Sequence, residues 1–240
     1  MTMRCCSFLF MLCMMYVPRL TNAQELIIQS KALAKPITVK VYNPVPQKDH
    51  EQIIYITDGQ KALDYGTWDN LELLVKKKKI KPAIYVFVST VVNGEDLRNE
   101  FFFCNPRYLK FFEEELIPQV EQQIGQSYQP EDRALIGISF GGLNGAYFAA
   151  RSTAFKSYGL LSPVTYPRQQ EIIQKIANSE NKDLTIFISS GTNDAEAYTG
   201  PLIRLFKRKD YFVKQHFTLG GHDFKNWNGQ LKLMMNWLIK

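Results

Sequence analysis

The residues with the clearest chemical potential lie in the segment RALIGISFGGLNGAYFAA, from Arg133 to Ala150. Within it, Ser139 stands in the pattern G-x-S-x-G, between Gly137 and Gly141. An apolar run precedes this serine, and small, helix-compatible residues follow it. A strand, a sharp turn and a helix in this order form a nucleophile elbow, which presents a serine hydroxyl above a sheet. The segment therefore predicts Ser139 as the nucleophile of an acyl-transfer reaction.

The bare pattern is also compatible with a glycine-rich turn that carries an incidental serine. An alcohol is a weak nucleophile at its free pKa, so it needs a base within hydrogen-bond reach. The base in turn needs a third group that fixes its tautomer and orientation. The prediction of a catalytic Ser139 therefore depends on finding both partners elsewhere in the chain.

The chain has three histidines, and their positions favour one of them as the base. His50 lies in a polar loop before the third predicted strand, and His216 lies within the last strand, where a structural role is expected. His222 follows that last strand in a Gly-Gly loop, the place of the histidine in enzymes with a nucleophile elbow. We expect His222 to be the base, the alternative being a histidine of a surface loop.

The orienting acid should follow the penultimate strand, between the serine and the histidine in the chain. Asp194 satisfies this condition and completes the order Ser139, Asp194, His222. Glu196, two residues further on, is the reserve candidate. Asp223 adjoins the histidine, but sequence neighbours rarely have the geometry to hold that ring. The predicted acid is therefore Asp194.

Two backbone N–H groups are expected to stabilise the oxyanion of a tetrahedral intermediate. One belongs to the residue after the nucleophile, Phe140. The other should follow the third predicted strand, where Asp58-Gly59-Gln60 lies, and we assign it to Gln60. A plain turn explains the Asp58-Gly59 pair equally well.

Strands and helices alternate along the chain and indicate how these residues are brought together. Strands are predicted over 24–30, 36–42, 53–57, 83–89, 134–138, 157–161, 184–189 and 211–219. Helices are predicted over 69–79, 108–123, 142–151, 168–178, 196–209 and 224–240. The alternation indicates an α/β fold, with a mostly parallel central sheet and helices on both faces. Such sheets bind ligands beyond the carboxyl ends of their strands, where all the candidate residues are predicted to lie.

The first 23 residues have the composition of a secretory signal. A short apolar run follows Arg4, and the small residues Thr-Asn-Ala end at Ala23. We predict cleavage before Gln24, a single domain over 24–240 and a secreted or periplasmic location. The alternative is an N-terminal membrane anchor. The composition of the whole 240-residue chain is that of a globular enzyme, with 45% hydrophobic residues, 22% charged residues and a net charge of +6.

The cysteines, the lysine run and the missing sequence motifs indicate which cofactors and partners the chain does not require. Three of the four cysteines lie within residues 1–23, so the mature chain has only Cys104 and no internal disulfide; we expect this thiol to be buried. The lysine run at 76–79 is typical of a solvated helix end rather than a nucleic-acid site. No Cys/His cluster, P-loop or dinucleotide motif is present. We therefore expect no metal, no cofactor and no nucleic-acid partner, and leave the oligomeric state open.

Several separated blocks give the chain a resemblance that is more specific than the elbow alone. They are IYITDGQ at 54–60, RNEF at 98–101, NP at 105–106, FEEELIP at 112–118, GISFGG at 137–142, GTND at 191–194, GGHD at 220–223 and NW at 226–227. Together they resemble the putative-esterase branch of the α/β-hydrolases, which includes esterase D and enterochelin-esterase-like proteins. The resemblance runs from about Ile53 to Lys240. It implies an α/β-hydrolase fold and Ser-Asp-His acyl chemistry.

Members of this branch cleave feruloyl and acetyl esters on plant polysaccharides, siderophore trilactones or S-formylglutathione, or transfer mycolyl groups. On family grounds and predicted export, we favour a serine esterase acting on acetyl or feruloyl esters of carbohydrate. A siderophore (enterobactin-like) ester hydrolase, an acyltransferase to a sugar or lipid acceptor, and a non-catalytic secreted binding protein are the alternatives. Relatives more often have Met at the position of Phe140, whose bulk would narrow the acyl pocket.

Overall fold

The computed structural model describes residues 23–45, 50–194 and 196–239. The segment predicted as a secretory signal, 1–23, lies outside these ranges except for Ala23, which begins the first strand. Export and signal cleavage therefore stay predictions.

One large sheet forms the centre of the described residues. Their strands are β1 (Ala23–Ser30), β2 (Lys35–Tyr42), β3 (Ile53–Thr57), β4 (Ile84–Val88), β5 (Val91–Val92), β6 (Glu95–Asp96), β7 (Arg133–Ile138), β8 (Ser157–Leu161), β9 (Thr185–Asn193) and β10 (Phe212–Gly221). Eight of them pair in the order β1-β2-β4-β3-β7-β8-β9-β10, while β5 and β6 form a separate small hairpin. The pairs β1–β2 and β2–β4 are antiparallel, and the remaining pairs of the large sheet are parallel.

Helices cover both faces of this sheet, as the alternation of elements predicts. They are α1 (Gly59–Asp64), α2 (Thr67–Lys76), α3 (Arg98–Phe102), α4 (Pro106–Lys110), α5 (Ile117–Ile124), α6 (Phe140–Arg151), α7 (Gln169–Ala177), α8 (Glu196–Arg208) and α9 (Phe224–Leu238). Helices α3 to α8 pack into the apolar layer on one face, and α1, α2 and α9 pack into the layer on the other. Strands β3, β4 and β8 are buried throughout, which explains their continuous apolar sequences. The predicted fold is confirmed.

Helix α1 forms where no helix is predicted, and two longer segments differ from their predicted form. The helix predicted over 108–123 is divided into α4, a π-helical turn (Phe111–Leu116) and α5. Pro118 is the second residue of α5 and follows the π-helical turn closely, so the change of helix type coincides with a residue that has no N–H to donate. The segment 93–106, for which no strand or helix is predicted, contains β6 and the short helix α3. Both differences are local and leave the order of the sheet unchanged.

Helix α9 packs against the end of the sheet that carries the candidate residues. The side chain of Asp223 caps its first turn by accepting a hydrogen bond from the Asn226 N–H at 2.9 Å. Its buried residues recur at helical spacing, at Trp227, Leu231, Met234 and Leu238. This stripe attaches the helix to the sheet. The two glycines predicted as a loop are the last residues of β10, and α9 begins three residues after Gly221.

Candidate active site

Ser139 occupies a strained turn between β7 and α6. Its backbone angles are φ 58° and ψ −119°, a conformation that L-residues rarely adopt and that costs of order 1–3 kcal/mol. Neighbouring backbone holds it there: the Ser139 N–H donates to the Leu161 carbonyl at 2.9 Å, and the Val164 N–H donates to the Ser139 carbonyl at 3.1 Å. The surrounding sheet thus imposes the geometry of a nucleophile elbow.

The glycines of the G-x-S-x-G pattern have steric reasons to be glycine. A Cβ atom on Gly137 would lie 2.0 Å from the Gly141 carbonyl oxygen, and one on Gly141 would lie 2.7 Å from Thr57 Oγ1. Neither space accepts a side chain. The second distance shows that the elbow lies directly against Thr57, the last residue of β3. Asp58, Gly59 and Gln60 follow this strand in the chain.

Strand pairing brings the acid and the base together. Asn193 of β9 is paired with Gly221 of β10 at the carboxyl edge of the sheet. Asp194 directly follows β9, and His222 directly follows β10. Asp194 Oδ1 accepts a hydrogen bond from His222 Nδ1. His222 Nε2 lies 2.9 Å from Ser139 Oγ. The structure therefore places the three predicted side chains in one hydrogen-bonded line.

The Asp194 carboxylate is fully buried, whereas the His222 side chain is 37% exposed. Asp194 Oδ2 accepts hydrogen bonds from the Ser162 hydroxyl and, at 3.2 Å, from the Gly191 N–H. Burial raises the pKa of Asp194, but the hydrogen bonds from Ser162, His222 and Gly191 outweigh it and hold the pKa below its ordinary value. An ionised carboxylate in this position fixes the imidazole tautomer and stabilises the imidazolium that catalysis forms.

The other two acidic candidates lie elsewhere. Glu196, the reserve candidate, is exposed in the first turn of α8. Asp223 caps α9 through its bond from the Asn226 N–H. Of the three carboxylates, Asp194 is the one that contacts Nδ1 of His222.

The remaining histidines have structural surroundings. His50 is buried, and its Nε2 lies 2.6 Å from Asn43 Oδ1. His216 lies within β10, where its ring centroid is 6.2 Å from that of Phe187. The position of His222 after the last strand therefore distinguishes it from both.

The two amides predicted for the oxyanion hole lie at helix N-termini on the same edge of the sheet. Phe140 is the first residue of α6, and Gln60 is the second residue of α1. Amides in the first turn of a helix have no intrahelical partner and are available to an anion. A Cβ atom on Gly59 would lie 2.5 Å from the backbone carbon of Phe87, so this glycine serves a close approach to β4. The role of both amides in catalysis stays a prediction.

A network around Asp58, which sequence reasoning missed, supports the loop that carries Gln60. The Arg98 Nη2 donates to Asp58 Oδ2 at 2.7 Å, and Thr90 Oγ1 donates to Asp58 Oδ1 at 3.1 Å. The Gln60 side-chain amide donates to Thr90 Oγ1 at 2.8 Å. The Arg98 guanidinium also lies 5.4 Å from the centre of the Phe140 ring. Asp58 and Arg98 are 40 positions apart in the chain, so no local sequence pattern predicts this charged pair.

Three further observations concern the described residues outside this site. Cys104 is buried, as predicted, and burial raises the pKa of its thiol to about 12. In the described part of the chain, no three His, Cys, Asp or Glu side chains are grouped as metal ligands. None of the helices within the ranges given above is both long and apolar enough to cross a membrane.

Residues 30–238 match the sequence profile of the Putative esterase family. The chain belongs to this family. Among its relatives is an iron(III) enterobactin esterase of Escherichia coli O6:H1, which is 26% identical over 129 residues, or 53% of this chain and 32% of that protein. Another is an endo-1,4-beta-xylanase/feruloyl esterase of Xylanibacter ruminicola, 22% identical over 235 residues, or 91% of this chain and 31% of that protein. The chain spans about a third of the length of these two relatives.

Solved structures share the fold of this chain. The enterobactin esterase FES from Shigella flexneri superposes with a TM-score of 0.82 at 21% identity, over 91% of this chain and 59% of that one. The BES protein from Bacillus cereus superposes with a TM-score of 0.74 at 16% identity, over 99% and 98% of the two chains. Family membership and these superpositions identify the fold of the chain as one of the α/β-hydrolase type.

Proposed function

We propose that this esterase uses Ser139, His222 and Asp194 to hydrolyse acetyl or feruloyl esters on carbohydrate, outside the cell or in the periplasm. The observation that carries the mechanism is the line of hydrogen bonds from Ser139 Oγ through His222 to Asp194. The substrate class is supported by the relative named as a feruloyl esterase. It is also supported by a solved ferulic acid esterase that superposes with a TM-score of 0.72 at 17% identity, over 90% of this chain and 96% of that one. The N-terminal sequence supports export.

The first half of the reaction forms an acyl-enzyme. Ser139 Oγ attacks the ester carbonyl carbon while His222 Nε2, 2.9 Å away, accepts the hydroxyl proton. Asp194 stabilises the resulting imidazolium through Nδ1. The carbonyl oxygen becomes an oxyanion, which accepts hydrogen bonds from the amides of Phe140 and Gln60. The intermediate then collapses: the C–O bond to the alcohol breaks, and His222 gives its proton to the departing oxygen.

The second half releases the acyl group. A water molecule attacks the acyl-enzyme carbonyl while His222 accepts one of its protons. The tetrahedral intermediate again places its negative oxygen at the two amides. Collapse breaks the bond to Ser139 Oγ, which takes its proton back from His222, and the carboxylic acid leaves.

A siderophore trilactone is the second candidate substrate. It is favoured by the enterobactin esterase of Shigella flexneri, whose TM-score of 0.82 exceeds that of the ferulic acid esterase, 0.72. The same three side chains would perform the same steps on a lactone ester. The two candidates therefore differ in the groups that flank the ester, and substrate comparison separates them.

The mechanism is tested with p-nitrophenyl acetate and a fluorophosphonate label. We expect Ser139→Ala to abolish both turnover and labelling. Ser127→Ala, which changes an exposed serine away from the elbow, is the matched control and should retain both. Wild-type turnover that persists in Ser139→Ala would overturn the proposed mechanism.

The substrate is tested by comparing kcat/KM for an acetylated xylo-oligosaccharide, a feruloylated arabino-oligosaccharide and enterobactin. We expect one of the carbohydrate esters to be cleaved faster than the trilactone. A preference for enterobactin of about tenfold or more, equal to 1.4 kcal/mol, would select the siderophore alternative. Recovery of an acylated alcohol when an acceptor is added would indicate acyl transfer instead. Cell fractionation tests the location: an intracellular protein that retains residues 1–23 would contradict export.

A further inference from the structure

Ser162 directly follows β8, the strand next to the one that leads into Ser139. Its side chain is fully buried, and its φ of 46° lies in the left-handed region, which costs a non-glycine residue free energy. The Ser162 N–H donates to the Ser189 carbonyl at 2.8 Å, so the neighbouring strand holds this conformation. The backbone thus directs the Ser162 hydroxyl toward Asp194, which follows β9.

The hydrogen bonds of this hydroxyl have one consistent direction. The Trp227 Nε1–H donates to Ser162 Oγ at 2.8 Å, and an indole nitrogen can only donate. The Ser162 hydroxyl has one proton, which it donates to Asp194 Oδ2. The chain therefore runs from Trp227 through Ser162 to the carboxylate, and from the other carboxylate oxygen to the imidazole of His222.

Trp227 contacts the base as well as the support of the acid. Its ring packs edge-on against the His222 ring, with centroids 5.0 Å apart and planes at 85°. The side chain is only 5% exposed, and its backbone N–H donates to the Asp223 carbonyl in the first turn of α9. The Trp227 side chain therefore contacts His222 directly and reaches Asp194 through the Ser162 hydroxyl.

We propose that Ser162 and Trp227 are positioning residues that hold the Asp194 carboxylate against Nδ1 of His222. The inference rests on the proposed function. Asp194 lies in the turn between β9 and α8, where the Ser162 hydroxyl and the Gly191 N–H both donate to its Oδ2. Without the Ser162 hydroxyl, a buried carboxylate oxygen loses a donor, and the indole N–H loses its acceptor. Such losses disturb geometry on which proton transfer depends.

The test compares Ser162→Ala, Trp227→Phe and the double variant in the full-length protein. We expect Ser162→Ala to lower kcat on p-nitrophenyl acetate about 10- to 50-fold, with KM within about twofold. Trp227→Phe keeps a ring beside His222 but removes the N–H, and should lower kcat about 3- to 10-fold. The double variant should be no slower than Ser162→Ala, because Trp227 acts through Ser162. Additive losses would overturn this relay.

Trp237→Phe is the matched control, because Trp237 also lies on α9 and its Nε1–H donates to a backbone carbonyl, that of Ile186, at 3.2 Å. It should lose folding stability without loss of kcat. On an Asp194→Asn background, Ser162→Ala should cause no further fall in the rate of fluorophosphonate labelling. A merely structural role would instead lower stability while leaving kcat per folded molecule unchanged, and would overturn the inference. If Ser162→Ala retains kcat while Ser139→Ala is inactive, the inference fails and the proposed function stands.

Discussion

Two polar networks flank Ser139, and they are built from different chemistry. The acid network, which comprises Asp194, Ser162, Trp227 and the Gly191 N–H, surrounds one carboxylate with neutral donors. Asp194 Oδ1 contacts His222 Nδ1. In the proposed mechanism, its negative charge therefore stabilises the imidazolium that forms when His222 accepts a proton.

The loop network, which comprises Asp58, Arg98, Thr90 and Gln60, balances its charge internally. Asp58 is paired with Arg98 at 2.7 Å, with side chains that are 3% and 22% exposed. Thr90 also contacts Asp96, which is paired with Lys61 at 2.7 Å. Arg98 and Lys61 thus pair with the carboxylates of Asp58 and Asp96 close to the start of α1, where the Gln60 amide lies.

The pKa values of the two aspartates differ in direction as the networks do. Burial raises the pKa of Asp58 and outweighs the lowering effects of Arg98, Lys61 and Thr90. For Asp194, donated hydrogen bonds outweigh burial, and the pKa is lowered. One residue type thus has two different settings: in the proposed mechanism Asp194 supplies charge to the chemistry, whereas Asp58 is hydrogen-bonded to Thr90 and Arg98 at the junction of β3 and α1.

Asp194→Asn should have the largest effect on catalysis. Removing the charge while keeping the shape is expected to lower kcat about 10³- to 10⁴-fold, because the imidazole loses its tautomer control and the imidazolium its counter-charge. Steady-state kinetics on p-nitrophenyl acetate measures this, with circular dichroism to verify the fold. Asp58→Asn, the matched change in the loop network, should cost far less in kcat. Equal losses in the two variants would abolish the distinction between the networks.

Asp58→Asn should have the larger effect on stability. It leaves the Arg98 guanidinium, which is largely buried, without its carboxylate partner, at an expected cost of about 2 kcal/mol after allowance for solvent around Arg98. Urea unfolding measures the loss. Adding Arg98→Met should recover part of it, since no unpaired charge then remains. A double variant less stable than Asp58→Asn alone would show that the pair itself contributes little.

Thr90→Val tests whether the loop network acts on the oxyanion. The change keeps the side-chain shape but removes the hydroxyl that joins Gln60 to Asp58. We expect kcat/KM to fall about 5- to 10-fold, which corresponds to about 1–1.4 kcal/mol of transition-state stabilisation. Binding of a trifluoromethyl ketone, which forms a tetrahedral oxyanion adduct, should weaken by the same factor. A stability loss with unchanged ketone affinity would confine Thr90 to a structural role.

The smallest effect is on the pH dependence of stability, and its sign differs between the networks. The lowered pKa of Asp194 means that its stabilisation is fully present above the unfolded value of about 3.9 and is lost as pH falls through the folded pKa. The raised pKa of Asp58 makes the folded state hold that proton more tightly, so its contribution declines as pH rises through the window above about 3.9.

Urea unfolding between about pH 3 and pH 7 checks these signs across the range of carboxyl titration. The excess stability of the wild type over Asp194→Asn should grow with pH, and its excess over Asp58→Asn should shrink. Slopes of the same sign for both variants would contradict the assignment of opposite shifts to the two aspartates.

The amino-acid sequence by itself determined the elements and the elbow. The spacing of Gly137, Ser139 and Gly141 has local steric causes, and it predicted the turn between β7 and α6 that the structure shows. Short, continuous strand-like runs predicted the strands 53–57 and 157–161 with their observed bounds. The chain order of Ser139, Asp194 and His222 narrowed the candidates, because each follows a predicted strand whose carboxyl end lies at one edge of the sheet.

Tertiary structure decided which side chains meet. Asp194 rather than Glu196 contacts His222 because Asn193 and Gly221 are partners in the sheet, and strand register is not written in any local pattern. Ser162 and Trp227 are 65 positions apart and meet because α9 packs across the end of β8. Periodicity records which face of an element is buried, whereas a hydrogen bond between distant residues depends on how the elements are arranged around one another.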